Sequence, residues 1–136
     1  MIRRTFIGAT VALAMMPISA LAETVEYTDG LIQSALADGK TVFVDYATDW
    51  CTTCRAQEGK IEALRSSNPS YDENILFVRV DWDVYSGHPV STDRNIPRRS
   101  TLIVLKGDQE LGRIVAGTSK KQIQELMDIA LNAATS

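Results

Sequence analysis

The sequence predicts an α/β domain built on a mixed central sheet, with helices on both of its faces. Two short, mostly apolar runs rich in β-branched and aromatic residues, 41–46 and 75–81, have the pattern of buried strands. A helical pattern lies between them, and a helix joining two strands of one sheet implies parallel pairing. The stretches 101–105 and 112–115 meet through Lys106-Gly107-Asp108 as a hairpin, which adds an antiparallel edge.

Residues 1–22 stand apart from that domain. Met1-Ile2-Arg3-Arg4 is a basic start, and an apolar run from Phe6 to Ile18 follows it. Ala20-Leu21-Ala22 then places small residues at −3 and −1 before Glu23, the pattern of a cleaved signal peptide. A membrane anchor is the competing reading, but the apolar stretch is shorter than the roughly 20 residues that span a bilayer. The paired arginines also resemble a twin-arginine export signal, with Ile2 where Ser or Thr is usual, so the route stays open between that and general secretion. Export to the periplasm is expected by either route.

The remaining 23–136 reads as one domain of ordinary globular composition. The whole chain of 136 residues is 45% hydrophobic and 23% charged, which excludes disordered, collagen-like and coiled-coil classes. Its net charge of −3 becomes −5 without 1–22, so there is no basic field to hold nucleic acid.

In chain order, Thr28 or Asp29 is expected to cap a first helix carrying Leu31, Ile32, Ala35 and Leu36, ended by Gly39. The first strand follows, then a helix from Cys51 with Cys54, Ile61 and Leu64 on one side. Ser66-Ser67-Asn68-Pro69-Ser70 breaks that pattern before the second strand. The segment 86–94 reads as loop or short helix. After the hairpin, Ser119-Lys120-Lys121-Gln122 has capping-box form and opens a helix with Ile123, Leu126, Met127, Ala130 and Leu131 facing inward.

The chemistry is concentrated in Asp49-Trp50-Cys51-Thr52-Thr53-Cys54-Arg55. Two thiols separated by two residues at a strand-to-helix junction can cycle between dithiol and disulfide. The first lies at the helix N-terminus, where free N–H groups stabilise a thiolate; the second lies one turn inside. A purely structural disulfide between such near neighbours removes little chain entropy. A structural zinc site needs four N or S ligands, and the chain has two Cys and His88 alone. The pattern calls for no cofactor.

The run from Val44 to Cys54 resembles the active-site segment of the thioredoxin superfamily, nearest to the periplasmic C-terminal domain of the transmembrane thiol:disulfide interchange reductase. The resemblance spans about 30–132 and implies a thioredoxin-like fold. In that family an acid lies six positions before the first cysteine, where this chain has Asp45. In the interchange reductase another lies four positions after the second, where it has Glu58. The helix-kinking proline falls at Gly59 and is absent. The family's cis-proline slot falls at Ser100, preceded by Arg99, with Pro97 three residues early as the alternative register; a cis bond before Ser100 would cost about 3 kcal/mol, so trans is expected.

Cys51 is then the nucleophile and Cys54 the resolving thiol, with Asp45 as proton acceptor and Glu58 as a further carboxylate tuning the site. Trp50, Arg99, Ser100 and Thr101 are the expected substrate-binding positions. Carboxylates at Asp45, Asp49 and Glu58, with uncharged Thr52 and Thr53 between the cysteines, are expected to raise the Cys51 pKa and favour a reductase over a dithiol oxidase. The resemblance implies oxidised periplasmic proteins as substrates and a membrane electron donor, with a soluble, monomeric mature domain. The competing binding role is a copper(I) metallochaperone, with His88 as third ligand beside two soft thiolates.

Overall fold

The computed structural model describes residues 23–136; the basic start, apolar run and cleavage pattern lie outside the described residues. The elements follow in order as β1 (Val25–Glu26), α1 (Leu31–Ala37), β2 (Thr41–Ala47), α2 (Thr52–Ser67) and α3 (Ser70–Asn74). Next come β3 (Ile75–Asp81), α4 (Trp82–Tyr85), α5 (Pro89–Thr92), β4 (Thr101–Lys106), β5 (Gln109–Val115) and α6 (Lys120–Thr135).

The sheet order is β1-β3-β2-β4-β5. Strands β1, β3 and β2 are parallel, and β4 runs antiparallel to both β2 and β5. This is the mixed sheet expected from the crossover and the hairpin. The two-residue β1 is an addition, too short to carry a period of its own.

Strand alternation sorts the core into two layers. Val42, Val44 and Tyr46 of β2 point with Val78, Val80, Ile103 and Leu105 toward Ile32 and Ala35 of α1 and Val90 of α5. Phe43 points the other way, with Phe77, Leu102 and Val104, toward Ile61 and Leu64 of α2 and Ile123, Leu126 and Met127 of α6. Asp45 and Arg79 share that second parity and stand side by side in the β2–β3 register.

The caps show where local patterning succeeds and where a turn overrides it. Ser119 caps α6 through its side chain, which accepts from the Gln122 N–H. Helix α1 is not capped by Thr28 or Asp29 side chains. Gly30, at φ 82°, occupies the N-cap without a side-chain bond, and the Thr28 carbonyl accepts from Leu31 N–H. That left-handed turn is open to glycine at little steric cost. Gly112 serves packing instead: a Cβ there would stand 2.7 Å from Leu126 Cδ1, so its absence lets α6 lie close on β5.

Leu102 is fully buried between β2, β5 and α6, whereas Val84 is 66% exposed. Leu102→Ala is expected to lower unfolding stability by about 3 kcal/mol, from lost transfer energy plus a cavity, and Val84→Ala by about 0.5 kcal/mol or less. Urea titration of both variants checks the contrast.

Candidate active site

Strand β2 ends at Ala47 and the chain turns through Asp49 and Trp50 into α2. Cys51 is the N-cap residue, extended at φ −82° and ψ 112°, and its sulfur accepts from the Cys54 N–H at 3.2 Å. It thus holds one of the N–H groups that a helix start leaves unpaired. Cys54 lies one turn in and is fully buried, while Cys51 is 3% exposed. Both are free thiols, so the structure presents the dithiol.

The loop before β4 closes over them. Ser100 donates its N–H to the Tyr46 carbonyl at 2.7 Å, and its carbonyl accepts from Ala116 N–H and from Gln57 Nε2. Its Oγ lies 3.2 Å from Cys51 Sγ and 3.0 Å from Cys54 Sγ. Ser100, rather than the exposed Pro97, therefore occupies the position facing the cysteines, and no peptide bond among the described residues is cis.

Two expected substrate contacts change character. Ser100 is fully buried with both backbone groups engaged inside the chain, so it has none left for an incoming strand. Thr101 is also fully buried, and its hydroxyl donates to the Arg98 carbonyl. Both build the site from within. Trp50 is different: it is 56% exposed, its Nε1 donates to Asp83, and the Arg99 guanidinium lies 4.3 Å over its ring.

Arg99 also revises the electrostatics anticipated for Cys51. Burial opposes the thiolate, but hydrogen bonds from the Cys54 thiol and N–H, from Ser100 and from Arg99 outweigh it and lower Cys51 to about 7. The expectation of a raised pKa fails because it counted carboxylates near in sequence. Cys54, three residues on, supplies two of the opposing donors, and a loop more than forty residues away supplies the other two. Burial and the Cys51 hydrogen bond raise Cys54. The inner thiol therefore keeps its proton when the outer one has lost its own.

The carboxylates form a neighbouring layer. Asp45 is pushed up to about 8 by burial first and by Glu58 second, against the opposing charge of Arg79. Glu58 hydrogen-bonds Asp45 and lies 3.5 Å from Arg79, which also reaches Asp49 at 2.9 Å and Glu26 at 3.6 Å. Asp45 Oδ1 is buried without a hydrogen-bond partner. It borders a cavity of about 150 Å³ lined also by Glu58, Arg79, Phe43 and Ile61. Glu58 thus bears on the site through Asp45, and Asp49 points out to solvent against Arg79.

His88 is committed elsewhere. Its Nδ1 accepts from Val90 N–H, its Nε2 lies 3.4 Å from Asp29, and its ring packs on Tyr27 and Tyr85. It is not a third ligand for the thiol pair. Gln57 is the functional residue that motif reading passed over: fully buried, it ties the Ser100 and Gly117 carbonyls together. Its signal was available, since it lies three residues after Cys54 on the stripe continued by Ile61 and Leu64.

A buried vicinal-turn dithiol at a helix start, under a loop that orders both sulfurs, defines a thiol-disulfide oxidoreductase. The comparisons then place it: the thioredoxin family model matches residues 23–129, and the chain belongs to that family. It is 29% identical over 104 residues to a thioredoxin of Echinococcus granulosus, covering 76% of this chain and 91% of that one. It is 26% identical over 89 residues to the thiol:disulfide interchange protein TxlA of Synechococcus elongatus, covering 65% and 45%. Among solved structures, Trxlp from Edwardsiella tarda superposes with a TM-score of 0.65 at 28% identity, covering 76% of this chain and 98% of that one.

The Asp45 carboxyl sets a pH dependence of stability. Its folded pKa of about 8 exceeds the ordinary 3.8, so the folded state binds its proton more tightly than the unfolded chain. The associated stability is full below about pH 4 and is lost as pH rises toward about 8. Asp45→Asn is expected to exceed the parent in stability at pH 8 by on the order of 5 kcal/mol, with the gap closing near pH 4. Urea unfolding of both proteins at the two pH values measures it.

Proposed function

We propose that this protein is an exported thiol:disulfide reductase, recharged by a membrane electron carrier and acting on disulfides of periplasmic proteins. The observation that carries the catalytic part is the sorted pair of thiols, Cys51 lowered to about 7 at the start of α2 and Cys54 raised beneath it. A strong dithiol oxidant owes its power to a far more stable thiolate, with a pKa near 3.5, whereas about 7 is the value of thioredoxin itself.

In the cycle, the Cys51 thiolate attacks one sulfur of the partner disulfide and forms a mixed disulfide. The partner's other sulfur leaves as a thiolate and takes up a proton. Cys54 then gives up its proton and attacks Cys51 Sγ, breaking the mixed disulfide. The partner leaves with two thiols, and Cys51–Cys54 becomes the disulfide. Asp45, with its unpaired Oδ1 beside the cavity, is suited to take the Cys54 proton through water, because a carboxyl near pKa 8 is matched to a thiol. The exposed Trp50 and the half-buried Arg99 stacked on it form the rim on which a partner lands.

The compartment rests on residues 1–22, whose basic start, apolar run and Ala20-Leu21-Ala22 support cleavage before Glu23 and leave 23–136 as a soluble, monomeric domain. An exported dithiol has no access to cytosolic reductant, which is the reason for placing its donor in the membrane. The position of Glu58 supports kinship with the periplasmic domain of the interchange reductase, and the likeness to TxlA points the same way.

Cys51→Ser is expected to abolish reduction of insulin disulfides, Cys54→Ala to accumulate mixed disulfides on Cys51, and the wild-type potential to fall between about −200 and −270 mV. A potential near about −120 mV would make the protein an oxidase. Expression of the full chain in a bacterium with a periplasm is expected to yield a periplasmic product beginning at Glu23. Recovery of uncleaved chain in the membrane fraction contradicts the export reading.

A further inference from the structure

We propose that the Ser100 hydroxyl is a catalytic group of the dithiol, whose single hydrogen follows the negative charge from one sulfur to the other. The inference rests on the oxidoreductase reading above and adds a residue to its machinery. Ser100 Oγ stands within hydrogen-bond distance of both reacting atoms, 3.2 Å from Cys51 Sγ and 3.0 Å from Cys54 Sγ.

A hydroxyl has one hydrogen to donate and two lone pairs to accept with. With Cys51 as thiolate and Cys54 as thiol, Ser100 donates its hydrogen to Cys51, and its lone pairs can accept from the Cys54 S–H whenever that hydrogen is not turned to Cys51 itself. Ser100 is fully buried, so solvent offers its hydroxyl little competition, and a hydrogen bond to an ion in such surroundings is among the stronger kinds. Once Cys51 is bonded to a partner sulfur it carries no charge, and the hydroxyl hydrogen is free to turn. As Cys54 loses its proton, the same hydrogen points to the Cys54 thiolate. Ser100 starts and ends each turn as a neutral hydroxyl, and no proton is lost from it.

The backbone supports the assignment independently. Ser100 has φ +64°, a region that residues with a Cβ enter only against strain. Three hydrogen bonds hold it there, from its own N–H to Tyr46 O and to its carbonyl from Ala116 N–H and Gln57 Nε2. Glycine would fit that backbone more easily but would carry no hydroxyl; the proline that the family resemblance expects at this position carries none either, and its ring holds φ near −65°.

The test is the pH profile of Cys51 alkylation by iodoacetamide in the reduced 23–136 domain and in Ser100→Gly. The glycine variant removes the hydroxyl and relieves the backbone strain, and Asp45 and Arg99, which also bear on Cys51, are unchanged. Loss of the donor is expected to raise the Cys51 midpoint by about one pH unit and to slow alkylation below that midpoint about tenfold. At pH above both midpoints the pair is expected to become more reducing by about 30 mV, the equivalent of tenfold. Ser100→Ala keeps a Cβ and is expected to show the same upward shift; Ser100→Thr retains a hydroxyl and is expected to stay near the wild-type midpoint. An unmoved midpoint in folded Ser100→Gly overturns the proposal, as does an equal shift in Ser100→Thr. Alkylation needs no protein partner, so this readout is separate from insulin reduction, whose failure in the wild type would count against the reductase reading alone.

Discussion

Strand β2 is buried at every position from Thr41 to Ala47 and is hydrogen-bonded along both edges, parallel to β3 and antiparallel to β4. A strand in that situation has no freedom to slip, because a shift of one residue would exchange the two faces of the core. The site is hung from its C-terminal end. The Tyr46 carbonyl holds Ser100, Asp45 lies beneath α2, and the chain beyond Ala47 has only a short turn in which to start the helix at Cys51. Positions around the sulfurs are therefore inherited from the most constrained strand of the molecule.

Charge is distributed in two tiers around that strand end. Close to the sulfurs stand hydrogen-bond donors, namely the α2 N-terminus, the Ser100 hydroxyl and Arg99, all of which favour a thiolate on Cys51. Further along the same sheet face stand Asp45 and Glu58, with Arg79 balancing them and reaching out to Asp49 and Glu26. Burial by itself disfavours the charged form in both tiers. At Cys51 the donors, strengthened by the same dry surroundings, outweigh it, whereas at Asp45 it wins and the proton is harder to remove. A reactive outer thiol and a carboxyl that titrates near neutrality arise from one dry environment.

Much of this was legible from local sequence. The period-2 strands, the hairpin around Gly107, the Ser119 cap and the placement of Cys51 ahead of a helix and Cys54 within it are decided by near neighbours, and near neighbours are what a sequence displays. The α1 cap was misread because Thr28 and Asp29 compete with a glycine turn whose φ does not show in a residue pattern. Gln57 lay in view as a polar residue on an apolar helical stripe, and only its distant partners, the Ser100 and Gly117 carbonyls, were hidden.

The sequence by itself determined the fold class, the dithiol and its setting at a strand-to-helix junction, since each follows from the chemistry and spacing of adjacent residues. Only the tertiary structure decided the protonation of the site. At Cys51 it depends in part on Ser100 and Arg99, nearly fifty residues beyond, being folded back onto the sulfurs, and at Asp45 on burial, on Glu58 and on Arg79 standing beside it on the neighbouring strand. Electrostatic and hydrogen-bond energies depend on separation in space and on the water excluded between groups, and neither quantity is written in the order of the chain.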